Sequence, residues 1–213
     1  MERVNIKEYK QKIREDMRQF RSSLSPEKKI KKDANILKNI LKLNAYQNAK
    51  TILCYMSTPK EIQTAELIKK AWADGKQVAL PKCVNNPAVT KDGIKDLAHV
   101  NQLDFYYIKS FDDLSKQSFG LMEPNVDVCK KVTDFKGSVC IIPAFCFDVF
   151  GYRIGYGGGY YDRFLQKYRG AKIGVVYKEC VFNKLQHGRY DIPTNYVVTD
   201  LYIKTINGKK TNI

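Results

Sequence analysis

Five glycines lie within nine positions between residues 151 and 159, and this run constrains the fold more than any other segment. An apolar run at residues 138–143 precedes it, and a helically spaced segment follows it from Tyr160. Glycine lets the backbone adopt positive φ and approach a ligand closely, while a helix N-terminus offers unpaired N–H groups and the positive end of a dipole. Strand, glycine-rich loop and helix in this order predict an anion-binding loop in an α/β fold.

The same glycines also fit a flexible turn, or a hinge that packs a helix against a sheet. The run is not a Walker A motif, because it lacks GKS or GKT, and it has no GxGxxG in a Rossmann spacing. Arg153 and Arg163 bracket the loop and can neutralise phosphate oxygens, and Asp162 can hold the Mg²⁺ that a nucleotide brings. These charged neighbours favour phosphate binding over a simple turn.

The rest of the chain alternates helical and extended patterns. A strand, a helix and a second strand in succession form a βαβ unit with parallel strands, so we expect a three-layer α/β/α fold with a mostly parallel, Rossmann-like central sheet. The length favours one domain over residues 1–213, with the last six residues frayed. Helices are predicted at residues 6–20, 26–43, 65–74 and 160–168, a helical turn at 111–114, and strands at 51–56, 77–81, 103–108, 138–143, 171–177 and 196–202.

Charge narrows the range of partners. The formal net charge is +15, from 37 lysines and arginines against 22 acidic residues, which implies an anionic partner. The basic residues lie along the whole chain and do not alternate with aromatics, so a small anionic ligand is favoured over nucleic acid. No apolar run reaches the roughly 20 residues of a membrane span, and the N-terminus lacks the apolar core of a secretory signal. We therefore expect a cytoplasmic protein whose six scattered cysteines are mostly reduced core residues.

The glycine-rich segment also carries a resemblance to a known family. Residues 151–163, GYRIGYGGGYYDR, together with the preceding IPAFCFD, are similar to the signature of the 5-formyltetrahydrofolate cyclo-ligases, also called 5,10-methenyltetrahydrofolate synthetases. Together the similar segments extend over residues 7–205. They lie at residues 10–14 with Arg21 and Leu24-Ser25 (KxxLR…R..LS), at 55–64, at 75–82, at 119–124 (FGIxEP) and at 190–200.

This resemblance implies an ATP-dependent ligase. Such an enzyme uses MgATP to activate the formyl oxygen of 5-formyltetrahydrofolate, after which N10 attacks and phosphate leaves, giving 5,10-methenyltetrahydrofolate and ADP. Phosphoryl transfer needs positioning and charge neutralisation more than an acid–base pair, which suits a chain whose only histidines are His99 and His187. The family also implies Mg²⁺ as cofactor and a monomer, and the basic surface suits a polyglutamylated folate.

The resemblance assigns roles position by position. It implies catalytic roles for Arg153, Tyr160 and Asp162, and a Mg²⁺ shared by Asp162 and Asp191. Glu61 is expected to hydrogen-bond pterin nitrogens, with Met56 packing on the ring. The residues expected to bind ATP are Lys10, Arg14, Arg153, Ile154, Gly155, Tyr156, Gly157, Gly158, Gly159, Tyr160 and Tyr161. Of these, Tyr156, Gly157, Gly158, Gly159 and Tyr160 are expected to contact the folate as well.

Other interpretations stay open. Without the resemblance, Lys10 and Arg14 fit a solvated helix face, Asp191 an exposed turn and Glu61 a charge at a helix start. The chain also departs from the family, since Tyr190 replaces a usual histidine and Tyr156 stands where some members carry arginine, with Arg153, Arg163 and Lys82 to compensate. A sugar-phosphate isomerase or a CoA-transferase-like enzyme would use the same layered fold, and a nucleic-acid-binding module would explain the charge.

Overall fold

The computed structural model of the chain describes residues 5–89, 95–117 and 121–206. The tail expected to fray, residues 208–213, lies outside these residues, as do Phe119 and Gly120 of the family match. Within the described part, no helix combines the length and the apolar character that crossing a bilayer requires.

Helices form the N-terminal part of the chain. Helix α1 (Ile6–Ser23) begins where Asn5 accepts a hydrogen bond from the Lys7 amide, and α2 (Pro26–Leu41) begins after Ser25, with proline in its first turn. Asparagine and serine are favoured at this position because their side chains satisfy an otherwise unpaired N–H group. Both helices confirm the predicted periodicity. Three shorter helices follow, namely α3 (Asn44–Gln47), α4 (Ala65–Ala73) and α5 (Tyr160–Lys167).

Twelve strands are present in the described part of the chain and form three sheets. They are β1 (Thr51–Leu53), β2 (Gln77–Val89), β3 (Lys95–Ile108), β4 (Leu114–Lys116), β5 (Met122–Pro124), β6 (Ser138–Pro143), β7 (Cys146–Asp148), β8 (Arg153–Ile154), β9 (Ala171–Val175), β10 (Val181–Phe182), β11 (Tyr196–Val198) and β12 (Ile203–Thr205).

Seven strands form the central sheet, in the order β12-β11-β9-β6-β1-β2-β3. The five inner strands pair in parallel, and β12 and β3 are antiparallel at the edges. The crossover from β1 through α4 to β2 and the crossover from β6 through α5 to β9 run in opposite directions along the sheet. Because such crossovers are right-handed, α4 and α5 lie on opposite faces, which makes the sheet the middle of three layers. The predicted fold class is confirmed.

The reversal of direction between β1 and β6 has a consequence for function. Both strands are buried along their whole length, so their side chains fill the core. At such a switch point the loops that follow the two strands leave in opposite directions, and a crevice opens between them at the carboxyl ends of the strands. The fold therefore places a binding cleft beyond Leu53 and Pro143.

The largest difference from the predicted elements is a long two-stranded arm formed by β2 and β3. Strands β2 and β3 were expected at residues 77–81 and 103–108, but they pair with each other from Val78↔Ile108 to Val89↔Lys95. Strand β1 covers only Gln77, Val78 and Ala79 of β2, so the rest of the arm extends past the central sheet. The arm was missed because a two-stranded ribbon with an interrupting proline and polar residues lacks the regular alternation of a half-buried strand.

Two small sheets and one turn also differ from the prediction. The sheets β10-β7-β8 and β4-β5 consist of strands of two or three residues, too short to give a periodic signal. The strand expected at residues 196–202 ends at Val198 as β11, because the Thr199 hydroxyl accepts hydrogen bonds from the Leu201 and Tyr202 amides and so forms a turn, and β12 begins only at Ile203.

Gly151, in the turn between β7 and β8, provides the first prediction. Its φ is +84°, and a methyl group there would lie 2.9 Å from the backbone oxygen of Thr194. We expect Gly151→Ala to lower the free energy of unfolding by about 2–4 kcal/mol, because the new side chain adds both backbone strain and a clash with main-chain atoms. Urea denaturation measures this loss. Gly188→Ala is the control, since nothing lies within 4 Å of its added methyl group, and equal losses in the two variants would contradict the prediction.

Candidate active site

A cleft of about 770 Å³ opens at the carboxyl ends of β1 and β6. Its walls come from α1, the segment after β1, the β2–β3 arm, β5, the segment after β6 and residues 153–162, with Asp191 at one side. Every residue that the family resemblance assigned to the site lines this cleft, from Lys10 on α1 to Asp191, whereas Arg163, which was expected to neutralise phosphate oxygens, does not line it. The structure thus brings the predicted residues together, while their individual roles remain predictions.

The glycine-rich loop joins β8 to α5 along one wall of the cleft. Gly157 and Gly159 have φ values of +106° and +68°, which side chains other than glycine rarely adopt. Gly159 is the residue that precedes α5, and no side chain caps the first turn of this helix. The N-terminus of α5 therefore presents its amide groups and its positive dipole end without a side-chain oxygen to satisfy them.

Helix α1 supplies a line of cations opposite the loop. Lys10, Arg14, Arg18 and Arg21 follow one another at intervals of three or four residues and all line the cleft. The Nε of Arg14 donates to the Gly155 oxygen at 2.8 Å, and no carboxylate among the described residues forms an ion pair with Arg14. An unpaired cation at a cleft is a ready partner for an anionic ligand.

Two of these cations were not assigned roles from the sequence. Arg21 donates to the backbone oxygens of Ala144 and Phe145, and its guanidinium lies 5.1 Å from the centre of the Phe145 ring. The Arg18 guanidinium lies over the same ring at 5.5 Å. Arg21 belongs to a segment that resembles the family, and the helical spacing of both residues from Arg14 signalled that they share its face. Arg21 thus fixes the carboxyl end of β6, where the cleft begins.

Asp162 is the acidic residue that follows the glycine-rich loop, in the first turn of α5. Its Oδ1 accepts a hydrogen bond from Arg153 at 2.6 Å and another from the Ile192 amide at 3.2 Å. The second terminal nitrogen of Arg153 donates to the Ile192 oxygen at 2.7 Å, and the arginine side chain is only 4% exposed. Arg153 therefore joins α5 to the segment around Ile192. Its place beside the loop suggested a guanidinium free to bind phosphate, but both of its terminal nitrogens have partners within the protein.

Asp191 is paired with Lys10 across the cleft. The lysine Nζ lies 2.7 Å from Asp191 Oδ2, which also accepts from the Gly188 amide at 2.9 Å. Burial alone would raise the pKa of this carboxyl, but the hydrogen bonds from Lys10 and Gly188 outweigh it and lower the pKa. Asp191 therefore stays ionised at neutral pH. Its neighbour Tyr190, at the position of the family histidine, is largely exposed and does not line the cleft.

Magnesium fits this arrangement only together with phosphates. Among residues 5–89, 95–117 and 121–206, no group of three histidine, cysteine, aspartate or glutamate side chains could hold a metal alone. Mg²⁺ usually takes one or two carboxylates and completes its shell with phosphate oxygens and water. Asp162 meets that requirement, because its Oδ2 has no hydrogen bond within the described part of the chain. Asp191 would be the second carboxylate.

Apolar side chains also line the cleft, next to Arg18 and Arg21. Met56 and Phe145 line it, and the Tyr156 ring packs against Phe145 with 4.8 Å between ring centres. Burial and the nearby Glu61 carboxylate raise the pKa of Tyr156, so its hydroxyl remains a donor at neutral pH. Glu61 itself accepts from the Thr58 amide at 2.8 Å. An aromatic platform beside a carboxylate suits a flat ring that carries N–H groups.

Side chains of the β2–β3 arm and of β5 also line the cleft. Glu123 of β5 lines the cleft and accepts from the Cys83 amide at 3.2 Å, and Lys82 lies 3.6 Å from its carboxylate. Lys82 does not line the cleft, so it does not replace the charge that Tyr156 removes from the loop. Five of the six cysteines are buried as expected, and Cys83 is the exposed one.

Comparison with known proteins identifies the family. Residues 6–200 match the model of the 5-formyltetrahydrofolate cyclo-ligase family. The 5-formyltetrahydrofolate cyclo-ligase of Escherichia coli (strain K12) is 30% identical over 186 residues, which cover 86% of this chain and 96% of that protein. The enzyme of the same name from Haemophilus influenzae is 28% identical over 187 residues, covering 86% of this chain and 94% of the relative.

Solved structures agree with this result. The structure of Aquifex aeolicus 5,10-methenyltetrahydrofolate synthetase matches with a TM-score of 0.78 and 26% identity, and 96% of each chain is covered. The 5,10-methenyltetrahydrofolate synthetase of Mycoplasma pneumoniae shares the fold, with a TM-score of 0.67 and 19% identity over 90% of this chain and 98% of that one. With its fold, its cleft and the match over nearly its whole length, the chain belongs to the 5-formyltetrahydrofolate cyclo-ligase family.

Proposed function

We propose that this protein converts 5-formyltetrahydrofolate to 5,10-methenyltetrahydrofolate in an ATP-dependent reaction that releases ADP and phosphate. The observation that carries the proposal is that one cleft combines two chemically different groups of side chains. Arg14, Lys10 and the uncapped N-terminus of α5 suit polyphosphate, and Met56, Glu61 and Phe145 suit a pterin. A single cleft of about 770 Å³ contains both groups, as transfer between two bound molecules requires.

The proposed reaction has two steps. The formyl oxygen of the folate attacks the γ-phosphorus of ATP, and the bond between that phosphorus and the bridging oxygen of ADP breaks. N10 then attacks the activated formyl carbon and loses its proton to solvent, and the former formyl oxygen leaves as part of phosphate. The chain needs to supply no covalent group for either step, because phosphoryl transfer depends on alignment and on neutralised charge.

The residues of the cleft supply that alignment. Arg14 and Lys10 neutralise the triphosphate, and the loop amides before α5 hold it by hydrogen bonds. Asp162 and Asp191 would hold Mg²⁺, which supplies charge neutralisation on the phosphate oxygens when it is bound. Glu61 accepts hydrogen bonds from the pterin, and Tyr156 and Tyr160 contact both substrates, where the reacting groups meet. Arg153 keeps Asp162 in place.

The proposal also covers the domain organisation, the oligomeric state, the cellular location and the form of the folate. We propose that residues 1–213 form one domain, that the protein is a cytoplasmic monomer, and that its basic surface accepts folates with a polyglutamate tail. The activity itself is tested by following formation of the methenyl product from 5-formyltetrahydrofolate with and without MgATP.

A further inference from the structure

The carbonyl oxygen of Gly158 accepts two side-chain hydrogen bonds from two different elements. The Nδ2 of Asn101, on β3, donates to it at 2.8 Å, and a terminal nitrogen of Arg163, on α5, donates to it at 3.0 Å. Neither donor lines the cleft. One glycine peptide in the middle of the loop is thus held from outside the cleft by the arm and by the helix that follows the loop.

Holding this oxygen also fixes the amide of the next residue. The described residues contain no cis peptide bond, and in a planar trans peptide the C=O and the N–H point to opposite sides. The N–H of Gly159 must therefore point away from Asn101 and Arg163. A peptide between two glycines otherwise rotates at little cost, because neither residue has a Cβ to restrict it.

The loop uses the same device at its other end. The Nε of Arg14 donates to the Gly155 oxygen at 2.8 Å, which fixes the direction of the following amide in the same way. Arg163 is exposed and has no carboxylate partner within the part of the chain that the structure describes. A methyl group on Gly159 would lie 2.9 Å from the nearest Arg163 nitrogen, so this side chain wraps closely around the loop.

We propose that Asn101 and Arg163 are positioning residues that orient the Gly158–Gly159 peptide so that its N–H faces the polyphosphate of the nucleotide. The inference rests on the proposed function, since it names ATP as the ligand of the loop. Neither side chain touches the substrates. Because both donate to one oxygen, either of them can hold the peptide, and only removal of both releases it.

The test is a double-mutant cycle on ATP kinetics and on ADP binding. We expect Asn101→Ala and Arg163→Ala each to raise the KM for ATP and the Kd for ADP about threefold, and the double variant to raise both about 50-fold. This combined effect exceeds the product of the single effects. The KM for 5-formyltetrahydrofolate should stay within about twofold of that of the wild type. Arg163→Lys, which keeps a donor, should restore most of the affinity in the Asn101→Ala background.

Controls separate positioning from charge and from folding. Lys167→Ala removes a cation from an exposed position on the same helix, and Gln102→Ala removes the neighbouring side chain on β3, which donates to Asp104. Both should leave the KM for ATP unchanged. Urea denaturation of each variant shows whether the protein remains folded. A loss of ADP affinity that vanishes when corrected for the folded fraction would mean that the pair is only structural.

Other outcomes would also overturn the inference. A large effect of Arg163→Ala that is independent of Asn101 would show that the arginine binds phosphate directly. A double variant with the ADP affinity of the wild type would show that the loop needs no external support. These failures differ from failure of the proposed function, in which the wild-type protein itself would neither bind ADP nor turn over ATP.

Discussion

Replacing Asp162 with asparagine should lower kcat by about 100- to 1,000-fold, because the carboxylate is expected to hold magnesium on the transferring phosphate. The amide keeps the shape of the side chain and still accepts the hydrogen bond from the Ile192 amide, so the loop keeps its conformation. The concentration of Mg²⁺ that gives half the maximal rate should rise together with the loss of kcat. Steady-state rates across a magnesium titration measure both changes.

A second role of Asp162 makes the control important. The carboxylate is also the ionic partner of the buried Arg153 side chain, so the variant should lose about 1–2 kcal/mol of stability. Asp16→Asn, at an exposed position of α1, removes the same charge from a side chain that has no partner among the described residues, and should change neither rate nor stability. If Asp162→Asn is less stable but keeps its kcat and its magnesium dependence per folded molecule, then Asp162 serves only to hold Arg153.

Replacing Arg14 with alanine should raise the KM for ATP by about 100-fold and leave the KM for the folate nearly unchanged. Its guanidinium has no carboxylate partner among the described residues, and a hydrogen bond to a charged group contributes about 1.5–3 kcal/mol. The variant loses this contact with phosphate and also the bond that fixes the Gly155 carbonyl. Initial rates with each substrate varied in turn measure the two constants.

Lys12→Ala is the matched control for Arg14. Lys12 lies on the same helix, is exposed, and makes no hydrogen bond within the described residues, so its loss should leave both constants unchanged. An Arg14→Ala variant in which the KM for the folate rises while that for ATP does not would reverse the assignment of the two groups of side chains. The cationic group would then receive the carboxylates of the folate.

Sequence reasoning succeeded where one segment carried several signals at once. The glycine run, the apolar strand before it and the periodic helix after it each have a local physical cause, and the family resemblance joined them to Lys10, Glu61 and Asp191. All the residues that the resemblance assigned to the site line one cleft. The start of α2 after Ser25 was equally local, because a cap depends only on the residues within one turn.

Contacts between residues that are distant in sequence could not be predicted. Arg153 flanks the glycines and looked free to bind phosphate, but its partners are Asp162 and the Ile192 carbonyl, brought close only by the complete fold. Lys10 and Asp191 are 181 positions apart and form an ion pair for the same reason. Asn101 reaches the Gly158 oxygen because the β2–β3 arm extends past the central sheet. No periodicity reports a contact of this kind.

Competing interpretations of the sequence are weakened by the same structure. The shared fold left room for an isomerase or a transferase, but residues 6–200 match the cyclo-ligase family model specifically. The high net charge suggested nucleic acid, yet the cations at residues 10, 14, 18 and 21 line a cleft beside the glycine loop. A cleft of this shape suits a small anion better than a duplex, whose phosphates need an extended basic surface.

The most direct test of the central claim is the absorbance of methenyltetrahydrofolate formed from 5-formyltetrahydrofolate. The purified protein should generate product only when ATP and Mg²⁺ are both present, and each product molecule should be matched by one phosphate released. A nonhydrolysable ATP analogue should inhibit the reaction and not support it. No product, or product at the same rate without ATP, would contradict the assignment of the glycine-rich loop as the place where MgATP meets the formylated folate.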